Sequence, residues 1–191
     1  MTSTPYDVHQ VNIVYTVDVH APLHLDTIFR HTKNCEYNQS RFAALKHRFR
    51  ANHDAPTFLV FPTGKIVCVG CKTREGARSA SSFFLHHLSA TCGCFLEEAT
   101  HAVRNIVSAT EIGHSVHLED FARQFPQHCS YEPEVFPGLT YLYKHGRDTY
   151  TFLLFSTGKV VITGVKEESQ VSTCVAHLQH IMSLYNADQE K

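Results

Sequence analysis

FLVFPTGKIVCVGCK, from Phe58 to Lys72, returns 94 residues later as FLLFSTGKVVITGVK, from Phe152 to Lys166, with 9 of 15 positions identical. Self-similarity at a fixed separation fixes architecture, because each copy must build the same supersecondary unit. In both copies two runs of β-branched and aromatic residues flank a turn, Thr63-Gly64 and Thr157-Gly158, so each reads as a β-hairpin. Outward from the hairpins the likeness continues. Asn12-Ile13-Val14 matches Asn105-Ile106-Val107 at an offset of 93, and Tyr37 and Phe42 match Tyr131 and Phe136 at 94. The chain therefore divides into a tail of residues 1–10 and two repeats, 11–97 and 98–191.

Each repeat follows one order. An alternating apolar strand (Val11 to Val17; Val103 to Thr110) leads to a helical stretch (Leu23 to Thr32; Leu118 to Phe125). A second group of strands follows, including the hairpins Phe58 to Val69 and Phe152 to Thr163. A helix closes each repeat, Arg74 to Leu88 and Glu167 to Tyr185. Strands and helices segregate, which predicts the α+β class with an antiparallel sheet built by two pseudo-symmetric halves. No Pro-, Gly- or Ser-rich linker parts the repeats, so one continuous sheet is expected.

Side chains alternate across a strand, so Phe58, Val60, Ile66 and Cys68 point one way and Leu59, Phe61, Val67 and Val69 the other. Both sets are apolar. In the second copy Phe152, Leu154, Val160 and Ile162 oppose Leu153, Phe155, Val161 and Thr163. Two helices per repeat can cover only one face of an antiparallel sheet. Two outcomes fit the second apolar face: it packs on itself in a sandwich, barrel or dimer, or it is a binding surface.

Composition narrows the classes. Lys+Arg 17 against Asp+Glu 18 gives a formal charge of −1, and 43% of the 191 residues are apolar, as in an ordinary globular protein. The 15 histidines add roughly +3 to +4 at pH 7 given their reference pKa. Net charge thus does not decide the partner. No run reaches the roughly 18 apolar residues of a membrane span, and Met1 to Gln10 lacks the pattern of a secretion signal, so neither membrane insertion nor secretion is expected. Seven cysteines, an odd number, point to reduced thiols in an intracellular compartment.

The twin hairpins PTGK and STGK, the paired Asn-Ile-Val strands, EYNQSRFAAL and SYEPEVFPGLTY together resemble the conserved core of the TATA-binding protein family, from about Val11 to Tyr185. The resemblance implies a saddle of about ten antiparallel strands, with helices on the convex face and the concave face in a widened DNA minor groove. Minor-groove readers discriminate by apolar shape, groove width and deformability, because the groove's donor and acceptor pattern is degenerate. The family is itself the standing example of minor-groove kinking by apolar wedges.

Carried over by motif, the resemblance makes Phe42, Phe61, Phe136 and Phe155 the intercalating wedges. It makes Asn12 and Asn105 the central hydrogen-bonding amides. Val14, Leu59, Val67 and Val69, with Val107, Leu153, Val161 and Thr163, become the apolar floor. Arg41, Arg48, Arg50, Lys65 and Lys159 become the phosphate contacts that position the protein without reading sequence. Glu132, Glu134 and Val135 in the acidic SYEPEV loop become the contact for transcription factor IIB. Taken alone, a strand phenylalanine is core far more often than wedge; four at symmetric motif positions reverse that weighting.

The sequence also departs from the family. Val69 stands where threonine is usual, while Thr163 keeps the hydroxyl. The first closing helix carries only Arg74 and Arg78 as fixed positive charges, where the family's is strongly basic, which counts against binding of transcription factor IIA or negative cofactors there. Leu142 replaces a family arginine, and the hairpins after Phe42 and Phe136 are two residues longer.

Other chemistry is weak. Cys68-x-x-Cys71, Cys92-Gly-Cys94 and Cys174-x-x-His177-x-x-His180 resemble fragments of zinc sites, but none has a second half at suitable spacing. No cofactor, metal or enzymatic activity is expected. The resemblance implies a nuclear initiation factor that binds and bends AT-rich, TATA-like promoter DNA and recruits transcription factor IIB for preinitiation complex assembly. The alternative is a scaffold that keeps the fold but binds DNA poorly and acts through protein partners.

Overall fold

The computed structural model describes residues 6–49, 55–93 and 99–189, with the side chains of Cys92 and Gln189 left out. In the first half it contains β1 (Val8–Asp18), α1 (Leu25–His31), β2 (Cys35–Glu36), β3 (Leu45–Arg48), β4 (Thr57–Val60), β5 (Lys65–Cys71) and α2 (Arg74–Cys92). The second half contains β6 (Thr100–Glu111), α3 (Leu118–Gln124), β7 (Cys129–Ser130), β8 (Leu139–His145), β9 (Asp148–Leu154), β10 (Lys159–Val165) and α4 (Glu168–Gln189). The strands form one ten-stranded sheet in the order β2-β3-β4-β5-β1-β6-β10-β9-β8-β7. The α+β class and the repeated order of elements are those expected from the sequence. The chain forms two compact units, one of Asn12–Asn105 and the other joining the chain before Asn12 to the chain from Ile106 onward.

The hairpin prediction holds in each unit. Leu59 pairs with Val67 and Phe58 with Cys68 across β4 and β5; Leu153 pairs with Val161 and Phe152 with Ile162 across β9 and β10. In both turns a glycine takes a left-handed conformation, φ +92 at Gly64 and +88 at Gly158. Each turn is tied by matching backbone bonds to the segment that follows β1 or β6. Val19 N–H donates to the Gly64 carbonyl and Leu23 N–H to that of Pro62; Ile112 N–H donates to Gly158 and Val116 N–H to Ser156. This shared anchorage explains why the TGK turn is common to both repeats.

Alternation in burial then separates the faces. Phe58, Val60, Ile66 and Cys68 are buried, as are Phe152, Leu154, Val160 and Ile162. In the Asn12–Asn105 unit α2 covers this side through Ala77, Ala80, Phe84, Leu85 and Leu88, spaced as one helical face requires. Phe84 stacks on Phe58 at 4.1 Å and 7°. In the other unit α4 presents Cys174, Leu178, Ile181, Met182 and Tyr185.

The helix ends are satisfied by named groups. Thr73 Oγ1 accepts from Gly76 N–H at 3.0 Å, and Gly93 closes α2 in the left-handed region with φ 67. Gln170 Oε1 accepts from the N–H groups of Lys166 and Glu167, and the Tyr185 hydroxyl accepts from His117 N–H at the start of α3.

Two histidines sit in this helix-side packing. His47 is buried, and its burial, with the His87 imidazole beside it, holds its pKa below the ordinary 6.5. His177, stacked on Tyr143 at 3.7 Å, is lowered by burial first and then by His180, His128 and His145. An unfolded chain takes up these protons first, so stability is full above about pH 6.5 and falls as the pH drops below it. Melting temperature in dilute chloride buffer is therefore expected to fall between about pH 7 and pH 5. The His47→Leu/His177→Leu double variant should show a flatter profile over that range, and an equally steep one would contradict the assignment.

Candidate nucleic-acid interface

The face opposite the helices is the second apolar face of the sequence reading. Leu59, Phe61, Val67 and Val69 are half-buried there, and so are Leu153, Phe155, Val161 and Thr163. The strand register lays them in rows. In the Asn12–Asn105 unit Lys46, Leu59, Val67 and Thr16 stand side by side across β3, β4, β5 and β1, with Arg48, Thr57 and Val69 in the next row. In the other unit the rows are Thr140, Leu153, Val161 and Ala109, then Leu142, Thr151 and Thr163. Val14 and Val107 are half-buried on β1 and β6.

Each unit places a pair of phenylalanines beside its rows. Phe61 is held by the turn itself, its N–H donating to the Lys65 carbonyl at 2.8 Å and its carbonyl accepting from Gly64 N–H at 3.1 Å. Phe155 repeats both bonds with Lys159 and Gly158, each at 2.9 Å. The outer rings come from one-turn loops, where Phe42 N–H donates to the Asn38 carbonyl and Phe136 N–H to the Glu132 carbonyl. Phe42 meets Phe61 edge-on at 6.3 Å and 67°, and Phe136 meets Phe155 at 5.9 Å and 69°. Phe42 and Phe136 remain 49% and 41% exposed, so these large apolar rings are presented to solvent and are not core.

Gly138 permits the closer pair. A Cβ there would stand 2.6 Å from Phe136 Cε1 and 3.1 Å from Phe155 Cε1. The matching position in the first repeat is Ala44, and the rings there lie further apart.

Asn12 owes its setting to a β-bulge. The β1–β5 register shifts between Ile13 and Tyr15, and Gly70, at φ +99, directs its N–H to Asn12 Oδ1 at 2.8 Å. A backbone donor demands the amide oxygen, so the Asn12 NH₂ is turned away from Gly70 as the donor end. Asn105 is half-buried on β6. The β10–β6 register carries the corresponding shift between Ile162 and Val165, with Gly164 at φ +90.

Cations rim the rows. Arg41, Arg48, Lys65 and Lys159 are exposed, and Lys159 lies 3.8 Å from Glu111. Arg50 lies outside the described residues. Two cations escaped the sequence reading. Lys46 shares the row of Leu59 and is held by Glu36 at 3.3 Å, and Arg104 donates from Nε to Thr16 Oγ1 at 2.9 Å. Strand parity around Leu59 would have found Lys46; Arg104 carries no motif. Glu132, Glu134 and Val135 are exposed together in the loop before Phe136, Val135 at 80%.

The cysteine motifs do not assemble. Cys68 and Cys71 are buried, Cys94 and the Cys92 side chain lie outside the described residues, and His177 is engaged with the Tyr141 hydroxyl at 3.1 Å. Burial pushes the thiols of Cys129 and Cys174 up to about 11 and about 12, so neither is a thiolate at neutral pH. Among the described residues no three His, Cys, Asp or Glu side chains come together as a metal site.

Comparison with known proteins agrees with this geometry. The family model described as "Transcription factor TFIID (or TATA-binding protein, TBP)" matches residues 7–91 and 100–185. The chain is 33% identical over 174 residues to a TATA-box-binding protein of Acanthamoeba castellanii, covering 91% of this chain and 66% of that one. It is 34% identical over 182 residues to TATA-box-binding protein 2 of Entamoeba histolytica, covering 94% and 84%. The solved structure of Methanococcus jannaschii TBP superposes with a TM-score of 0.78 at 28% identity, covering 93% of this chain and 98% of that one. Two copies of one unit, each with an uncovered apolar face and an edge-on phenylalanine pair, and a family match over both copies lead to one conclusion: the chain belongs to the TATA-binding protein family of general transcription factors.

Proposed function

We propose that this chain acts in the nucleus as a transcription initiation factor that binds AT-rich, TATA-like promoter DNA through the minor groove and bends it. The observation that carries the reading is the presence in each unit of a solvent-exposed phenylalanine, Phe42 or Phe136, braced edge-on by a turn-held partner beside an uncovered apolar face. Rings so placed can enter a base step and unstack it, and the apolar rows then meet the widened groove. Leu59, Val67, Val69 and Val14, with Leu153, Val161, Thr163 and Val107, supply that floor. The Asn12 NH₂ donates to a minor-groove acceptor, and Asn105 serves the same role. Arg41, Arg48, Lys65 and Lys159 contact phosphates and set position without reading sequence.

The exposed Glu132, Glu134 and Val135 form the contact for a transcription factor IIB-like partner. On α2, positions 82, 83 and 86 are exposed Ser, Phe and His, so the helix offers little fixed positive charge to factor IIA-like partners or flanking DNA.

Competition binding at fixed salt tests the reading. Affinity for an AT-rich duplex should exceed that for a GC-rich duplex by at least about tenfold, because the guanine amino group obstructs an apolar floor. Equal affinities would favour the scaffold alternative. Val69, opposite Thr57, lacks the hydroxyl that Thr163 carries in the other unit. Val69→Thr is accordingly expected to tighten AT-rich binding by about 0.5–1.5 kcal/mol, the net worth of one hydrogen bond, measured by titration with a labelled duplex.

A further inference from the structure

We propose that the Asn12–Asn105 unit holds a second site that shares Arg48 with the rim of the DNA face: a cleft that binds a tetrahedral oxyanion of the phosphate class through Lys33, Arg48 and the imidazoles of His31, His47 and His87. The cleft, of about 410 Å³, is lined by His31, Lys33, Asn34, His47, Arg48, Phe49 and His87, with no carboxylate among them. That volume falls in the range of small-ligand sites. Two permanent cations and three groups that can become cations thus converge where α1, β3 and α2 meet.

His47 is the built element. It is 97% buried; the Lys33 backbone carbonyl lies near enough to favour its protonated form, but its Nδ1 makes no well-formed hydrogen bond. Its ring is held by Phe84 at 5.1 Å and Phe49 at 5.9 Å, with His87 at 6.1 Å. A buried polar nitrogen left unpaired is costly, and proteins rarely retain one without a use. The ionisable groups around it are His31 of α1, Lys33, Cys35 of β2, Arg48 of its own strand and His87 of α2. The neighbouring acid, Glu36, is taken by Lys46 at 3.3 Å, and the ion pairs among the described residues involve neither Lys33 nor Arg48. His31 donates from Nδ1 to the Thr27 carbonyl at 2.8 Å, which leaves its Nε2 for another partner.

The duplication provides an internal control. Arg48 N–H donates to the Asn34 carbonyl as Leu142 N–H does to His128, and His47 pairs with Cys35 as Tyr141 does with Cys129. In the other unit the places of His47, Arg48, Phe49 and His87 are taken by Tyr141, Leu142, Tyr143 and Ile181. There the Tyr141 hydroxyl is satisfied by His177. The fold therefore requires neither the charge nor the unpaired nitrogen at this corner. Arg48 can offer a bidentate fork to two oxygens of an anion, and each protonated imidazole adds a charge-assisted donor. Anion binding then takes up protons and strengthens as the pH falls.

Sulfate is the probe, because its charge does not change near neutrality. The full chain is titrated with sodium sulfate at constant ionic strength while the imidazole NMR signals of His47 and His87 are followed. Saturable shifts are expected, about tenfold tighter at pH 6 than at pH 7.5 for linked uptake of roughly one proton. The Lys33→Gln/His87→Ile variant should bind at least about tenfold more weakly with its melting temperature little changed, since it removes two of the charged contacts. Equal binding by wild type and variant, or no saturable shift at either pH, overturns the proposal. Displacement of sulfate by a DNA duplex would identify the natural oxyanion as a backbone phosphate, and coexistence with the duplex as that of a free phosphate ester.

Discussion

Alanine at both Phe42 and Phe136 is expected to weaken binding to an AT-rich duplex by about two orders of magnitude or more and to abolish its bending. Each ring that passes from water into a base step gains roughly 1.5–3 kcal/mol of apolar transfer, and each 1.4 kcal/mol is a factor of ten in affinity. In the free protein these rings are half exposed and touch their partners edge-on. Their removal should therefore cost the fold only the pairing energy, about 0.5–1.5 kcal/mol each. Affinity measured by anisotropy beside the melting temperature separates the two effects. A large loss of stability with DNA binding unchanged would make the rings structural.

The second large effect concerns the turns. Gly64→Ala and Gly158→Ala each place a Cβ on a left-handed backbone and against a carbonyl oxygen, that of Ala21 in one case and of His114 in the other. Left-handed strain alone costs about 1–3 kcal/mol, and the backbone contact cannot yield as a side chain could. The same change disturbs the bonds from Val19 and Ile112 and the turn that aims Phe61 or Phe155. Each variant is expected to lose at least about 3 kcal/mol of stability in denaturant unfolding, with DNA bending lost in any fraction that remains folded. Gly113→Ala serves as a control: it shares the positive φ, at 93, but its Cβ would meet nothing within 4 Å. It should lose only the conformational part.

What the sequence revealed was what repeats and what alternates. The TGK hairpins stood out because both copies keep the same turn chemistry, and the uncovered face because period-two alternation left both sides of β4–β5 and β9–β10 apolar. β2 and β7, with two residues each, are too short for any periodicity to register. The extension of β1 back to Val8 lies in a mixed polar stretch, VHQ, with no apolar alternation to mark it. The longer second-half hairpin was legible as a length, but its closure by Gly146 at φ 62, the first of two turn positions, emerged only from the strand pairing of His145 with Asp148. Its first-half counterpart falls largely in residues 50–54, outside the described residues.

At the candidate site, motif positions singled out the four phenylalanines and the apolar residues of the uncovered face, because those side chains belong to the hairpins, to the loops before β3 and β8, and to the Asn-Ile-Val stretches of β1 and β6. The Asn12–Gly70 bond was not legible, since it depends on a bulge that shifts the register. Gly138 likewise has no local signal: its value lies in rings contributed by Phe136 and Phe155, the latter 17 residues away along the chain. The oxyanion cleft escaped for a related reason. His31 and Lys33 at the end of α1, His47 on β3 and His87 on α2 are far apart in sequence, and only folding brings the three segments together.

The most direct test of the account is the end-to-end distance of a doubly labelled TATA duplex, read by energy transfer as protein is added, beside a GC-rich duplex and the Phe61→Ala/Phe155→Ala variant. The account predicts shortening confined to the AT-rich duplex and lost in the variant. An unchanged distance with wild-type protein at low salt, under conditions where the protein is folded, would contradict wedge-driven bending and leave a family member that works through protein contacts alone.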